Sequence, residues 1–114
     1  MGFYESHQQT VFYQFPEMTM PGVTNCVDVY VINYLSTRYY TLFVTITNIN
    51  ESVVVRLDGS VDGCQYAPLI SNTISENGCY IYNVSGSPVR KIRGNFLKET
   101  GGNDAVVQFD IAAN

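Results

Sequence analysis

Val53-Val54-Val55-Arg56-Leu57-Asp58-Gly59-Ser60-Val61-Asp62-Gly63, answered later by Ser85-Gly86-Ser87-Pro88-Val89-Arg90-Lys91-Ile92-Arg93-Gly94-Asn95-Phe96, decides the fold class of this chain. β-branched residues that run into Asp-Gly, and a Gly-Ser-Pro turn that launches an alternating strand, are local signals of antiparallel β structure. Outward from these, strands are expected at 26–34, 39–48, 52–61, 66–71, 79–84, 89–98 and 104–112. Their spacing of roughly 8 to 14 residues, with turns rich in Gly, Asn, Ser and Pro and no helical periodicity, predicts an all-β protein. The expected architecture is a two-sheet antiparallel β-sandwich, jelly-roll-like, over residues 26–114, preceded by an extended N-terminal arm over residues 1–25.

The arm reads differently from the rest. It holds all three Met, Pro16, Pro21-Gly22, and the aromatics Phe3, Tyr4, Phe12, Tyr13 and Phe15 without a long alternation. Residues 10–15 are expected to form a short edge strand, which Pro16 and Pro21 prevent from continuing. An aromatic-rich terminus is poorly solvated, so it is expected to be pinned to its own domain or to a neighbour.

Register follows from keeping apolar partners together. Across the turn at Asn48 to Glu51, a hairpin would set Leu42 beside Leu57, Val44 beside Val55 and Ile46 beside Val53. Its other face would carry Tyr39, Thr41, Phe43, Thr45, Val54 and Arg56, with Arg56 over the Phe43 ring. That face is too apolar to be plain solvent surface unless the arm covers it. A second hairpin around Gly101-Gly102 would set Phe96 beside Val107, Ile92 beside Ile111, Gly94 beneath Phe109, Arg93 against Asp110 and Asn95 against Gln108.

Composition excludes several functions. At 114 residues there is room for one domain, and 14% charged residues against 13% aromatics describes a surface suited to being covered. Nine of the aromatics are Tyr, a side chain at home in partly wet interfaces. A net charge of −4 and six basic residues argue against nucleic acid as a partner. Arg90, Lys91 and Arg93 cluster in sequence, but on a strand Arg90 points away from the other two. No run approaches the roughly 20 apolar residues of a membrane span, and no signal or anchor is read at the N-terminus. Met1 to Ser6 has the spacing of an acylation motif, yet Phe3 and Tyr4 suit an arm that packs on something. Cys26, Cys64 and Cys79 are odd in number, which leaves at least one unpaired, and the expectation is buried thiols in a reducing compartment, with a Cys64–Cys79 bridge as the alternative.

Chemistry finds little purchase. Asp58 to Gly63 begins like a calcium loop, but Leu69 stands where the bidentate Glu is needed and no helices flank it. Consecutive Asp-Gly turns, with Asp side chains bonded to local N–H groups, explain it better; a weak site at Asp58 and Asp62 is the residual reading. His7 is the single histidine, no pair of carboxylates is set across a cleft, and Gly101-Gly102 precedes a strand, so no catalytic, cofactor or metal residues are assigned. Asn50-Glu51-Ser52 and Asn83-Val84-Ser85 match glycosylation sequons by pattern only.

Tyr40 to Asn48, then Leu57-Asp58-Gly59-Ser60-Val61-Asp62-Gly63, then Val84 to Arg93, then the Gly101-Gly102 turn resemble small β-sandwich virion proteins of tailed bacteriophages. The likeness covers residues 39–113 and departs from the pattern where an aromatic usually follows Asp-Gly; here Tyr66 is the nearest substitute. The resemblance implies a non-enzymatic capsid decoration or cement protein, assembled in host cytoplasm and located in the virion. Its partners would be the major capsid protein or another virion protein and further copies of itself, with no nucleic acid and no membrane. The expected interaction residues are Phe3, Tyr4, Phe12, Tyr13, Phe15, Tyr39, Phe43 and Tyr66. The competing expectation is a carbohydrate-binding or host-adhesion module in which Tyr39, Tyr66, Tyr80 or Tyr82 stacks on sugar rings.

Overall fold

A computed structural model describes residues 10–29, 39–86 and 88–114. Nine strands are described: β1 (Val11–Gln14), β2 (Gly22–Val23), β3 (Val27–Asp28), β4 (Tyr39–Thr47), β5 (Ser52–Ser60), β6 (Ala67–Ile74), β7 (Gly78–Ser85), β8 (Lys91–Thr100) and β9 (Val106–Ala113). They form two antiparallel sheets, the first in the order β1-β9-β4-β7 and the second β2-β8-β5-β6, with β3 also paired to β8. No helix occurs among the described residues. The two-sheet β-sandwich expected from alternation is therefore the fold.

Each long strand is amphipathic with a period of two, because successive side chains leave a strand on opposite faces. In β4, Tyr40, Leu42, Val44 and Ile46 are buried while Thr41, Phe43 and Thr45 between them are half-buried on the outer side. Val53, Val55 and Leu57 of β5, Ile92 and Phe96 of β8, and Val107, Phe109 and Ile111 of β9 complete the core. Full burial of such side chains stabilises by about 1.5–3 kcal/mol each before conformational entropy is set against it.

Both expected hairpins are replaced by crossings between sheets. β4 pairs with β7 and β9, so Leu42 lies beside Tyr82 and Ile111 rather than Leu57. β8 pairs with β5, so Ile92 lies beside Gly59 and Arg93 beside Asp58, and neither pairs with β9. The apolar positions lie on the expected side of each strand, but they meet across the core instead of within a sheet. Gly94 shows this most clearly: a Cβ there would stand 2.9 Å from the Phe109 ring, which covers it from the opposite sheet. Arg56 and Phe43 accordingly belong to different sheets and form no cation–ring pair, and Val54 and Arg56 do not share a face with Tyr39 and Phe43.

Of the arm, residues 1–9, and with them Phe3, Tyr4, His7 and the acylation-like motif, lie outside the described residues, as do residues 30–34 of the expected 26–34 strand. The rest runs along its own domain. Val11–Gln14 is an edge strand on β9, and Met18 exchanges backbone hydrogen bonds with Val107 at 2.7 and 2.9 Å. The chain then crosses to the second sheet, where Gly22–Val23, Thr24 and Val27–Asp28 follow β8.

The two Asp-Gly pairs differ in role. Asp58 is no turn residue: it sits inside β5 with its side chain fully buried, accepting from Arg56 Nε at 3.1 Å, Arg93 Nε at 3.4 Å and Asn95 Nδ2 at 2.9 Å. Asp62 does close a turn, since its Oδ1 accepts from the N–H groups of Cys64 and Gln65 at 2.8 Å and from the Ser60 hydroxyl at 3.0 Å. Gly63 follows at φ 83°, a conformation that L side chains rarely adopt. The two carboxylates are thus committed to different partners. The Gln65 and Cys64 N–H groups, then Ser60, hold the Asp62 carboxyl below its ordinary 3.8. Because the folded value is the depressed one, this stabilisation of the loop is complete above the unfolded value and is lost as pH falls through the folded value. A carbon-13 titration should place the Asp62 midpoint below 3.8 with the Cys64 and Gln65 amides co-titrating; a midpoint at or above that value would contradict the turn.

Candidate assembly surface

The outer face of the first sheet is built from alternate residues of four strands. Register sets Gln14, Asp110, Phe43 and Ile81 in one row across β1, β9, β4 and β7, and Phe12, Ala112, Thr41 and Asn83 in the next. Gln108, Thr45 and Cys79 form a third, and Tyr39 stands beside Ser85 at one end. Phe12 is 78% exposed, Ile81 60% and Tyr39 53%, while Phe43 is half-buried between rows. Phe12, Gln14, Thr41, Phe43, Asp110 and Ala112 line a depression of about 290 Å³.

Asp110 is the one charged residue in these rows, and its Oδ1 is buried without a hydrogen-bond partner. A buried acceptor left unsatisfied costs about 1–3 kcal/mol. A carboxylate amid Phe, Thr and Ala is a hydrogen-bond acceptor in an otherwise nearly neutral surface.

The opposite outer face has the reverse character. Asp58, Arg56, Arg93 and Asn95 form a closed network, Lys91 pairs with Asp28 at 3.3 Å, and the Arg93 guanidinium lies 4.0 Å from the centre of the Tyr66 ring. Arg93 therefore has a structural partner, but it is Asp58 and not Asp110. The Tyr66 hydroxyl donates to Cys26 Sγ at 2.8 Å, and burial, followed by that bond, pushes its pKa up to about 12.

The expected interaction residues are divided by this geometry. Phe12, Tyr39 and Phe43 lie together on the outer face of the first sheet. Tyr13 and Phe15 turn inward against the core, and Tyr66 is on the other side of the molecule beneath Arg93. Ile81 and Asp110 join the face without having been expected there. Ile81 alternates with Tyr80 and Tyr82 and so has to point outward once these pack on the core, whereas Asp110 is expected from sequence to be occupied by Arg93. Tyr80 and Tyr82 stack on each other at 6.4 Å with planes 3° apart, and burial raises the Tyr82 pKa. Cys26, Cys64 and Cys79 are free and exposed rather than buried or bridged, because they fall beside the short β3, on the Asp62 loop and on the outer side of β7. Among the described residues, no group of three or more His, Cys, Asp or Glu is placed to hold a metal ion.

The fold and this face define an all-β sandwich with one charged and one nearly neutral outer surface. No protein-family model and no curated protein matches the chain. Among solved structures, the SPBc2 prophage-derived protein YomS aligns with a TM-score of 0.58 over 93% of this chain and 94% of its own, at 11% identity, so the two share a fold. The Tobacco streak virus coat protein dimer aligns at a TM-score of 0.43 and 14% identity, over 98% of this chain and 88% of its own, too loosely to equate the folds.

Proposed function

We propose that this chain is a non-enzymatic virion structural protein, a capsid decoration or cement protein that oligomerises on a phage head and stabilises it. The observation that carries the reading is the outer face of the first sheet, whose described rows hold one charged residue and which presents Phe12, Tyr39 and Ile81. Large exposed apolar groups gathered on one face mark an interaction surface. Aromatics at such a surface, repeated over many copies, give a modest contact high avidity on a particle. The fold shared with a prophage-derived protein and the likeness to tailed-phage virion sandwiches support the same reading, and three free thiols suit folding in host cytoplasm. Residues 1–25 act in it as an arm whose described part braces the sandwich and places Phe12 on the contact face.

Sugar stacking is the weaker reading. Of the four tyrosines that could serve it, Tyr66 already carries Arg93, and Tyr80 and Tyr82 cover each other.

The test is cryo-electron microscopy of particles assembled with and without the chain, joined to a binding assay on particles that lack it. Phe12→Glu, at an exposed site that leaves the core intact, should weaken particle binding by about tenfold or more. Unchanged binding by Phe12→Glu and by Tyr39→Ser, or no density for the chain on the particle, would sink the assignment.

A further inference from the structure

Among the described residues, β7 is an edge strand of the first sheet. Tyr39 and Asn114 exchange both backbone hydrogen bonds, at 3.1 and 2.9 Å, so the polar groups of Tyr39 point toward β9. The reciprocal bonds of Val107 with Met18 on the far side of β9 agree with this phase. In an antiparallel ladder the direction alternates residue by residue. Tyr40, Leu42, Val44 and Ile46 therefore face β7 and engage Val84, Tyr82, Tyr80 and Gly78, their register partners. The N–H and C=O groups of Cys79, Ile81, Asn83 and Ser85 then point away from the sheet, and β7 pairs with β4 alone among the described strands.

Edge strands usually carry a device against pairing: brevity, Pro, a bulge or a charge. Among the described edges, β1 has four residues and β2 and β3 two each, while β6 contains Pro68 opposite a register shift. β7 has eight residues, no Pro, no charge and an unbroken register, and it shows Ile81 at 60% exposure.

We propose that two copies join their β7 strands antiparallel about a two-fold axis, extending the first sheet through both molecules. Bonded pairs must join outward-pointing residues, and the register that uses all four sets Cys79 beside Ser85 of the second copy and Ile81 beside Asn83 of the second copy. Each of the four then donates and accepts once, giving about eight backbone bonds. Tyr82 meets its own symmetry mate, and no like charges stand opposite each other. An edge contact alone is at the small end of protein interfaces, so the free dimer is weak and becomes fixed when both copies are held on a common surface. The pairing rests on the assembly reading for its role in a particle, but it is measurable in the free protein.

The experiment is sedimentation equilibrium of the intact chain over a concentration series under reducing conditions, with hydrogen exchange at both ends of the series. The Cys79, Ile81, Asn83 and Ser85 amides should exchange fast in the dilute protein and slow on concentration, while Tyr80 and Tyr82 stay protected throughout. Ile81→Pro removes only an outward N–H and should abolish association. Ile81→Lys, which leaves the backbone intact if the proline variant fails to fold, should weaken it at least about tenfold. A wild-type chain monomeric up to about 1 mM, outward amides already protected when dilute, or a dimer indifferent to both variants would overturn the pairing. A monomeric chain that still coats particles overturns it while leaving the assembly reading in place; a β7 dimer that binds no particle does the reverse.

Discussion

Phe109→Ala is expected to cost about 3–5 kcal/mol, a large share of the roughly 5–15 kcal/mol that stabilises a domain of this kind. The ring is fully buried in β9, a strand flanked on both sides, and its face rests on the Cα of Gly94 in the opposite sheet. Removing it leaves a cavity that neither sheet can collapse into without disturbing its ladder. The same contact gives a sharper check than the single variant. Gly94→Ala inserts a methyl 2.9 Å from ring carbons and should destabilise the wild type by about 1–3 kcal/mol through overpacking. In the Phe109→Ala background that methyl enters vacated space and should cost much less. Urea unfolding of the four proteins of this double-mutant cycle decides the matter. Additive effects would mean that Gly94 and Phe109 do not meet across the core.

Asp58→Ala is expected to cost about 3 kcal/mol, for a different reason. The carboxylate is entirely shielded from solvent and receives Arg56, Arg93 and Asn95, so its removal leaves two guanidinium groups facing one another without a counter-charge. Their side chains keep 23% and 25% exposure, which lets water relieve part of the repulsion and places the effect at the low end for a broken buried ion pair. Asp58→Asn preserves the shape and should fall between wild type and Asp58→Ala. Added salt should recover part of the alanine variant's stability by screening Arg56 from Arg93. A change below about 0.5 kcal/mol in Asp58→Ala would mean that the network is incidental to the second sheet.

Much of this protein is legible in its residues. The alternation of Tyr40, Leu42, Val44 and Ile46, of Val53, Val55 and Leu57, and of Val107, Phe109 and Ile111 assigns strand after strand to the correct side. The edge strand in the arm and the turn at Asp62-Gly63 are also readable, because each is set by neighbours within a few residues. The proposed contact face is half visible. Phe12, Tyr39 and Phe43 stand out as aromatics on outward positions, whereas Tyr13 and Phe15, equally aromatic, turn inward because β1 docks on β9 in the register that opposes Tyr13 to Ile111.

Sheet membership is beyond the reach of alternation, and the physical cause is a symmetry of the pattern itself. An inward-facing residue satisfies the hydrophobic effect whether its apolar neighbour lies beside it in the same sheet or across the core in the other, so Leu42 with Leu57 and Gly94 with Phe109 are written identically for a hairpin and for a crossing. Only the closing of backbone hydrogen bonds over long separations, β4 with β9 and β5 with β8, separates the two. That closure gives Arg93 to Asp58 instead of Asp110, and in doing so it leaves the Asp110 oxygen without a partner on an apolar face. The residues alone determined a β-sandwich with a definite inside and outside; the tertiary ladder decided which outside carries the ion pairs and which is nearly neutral.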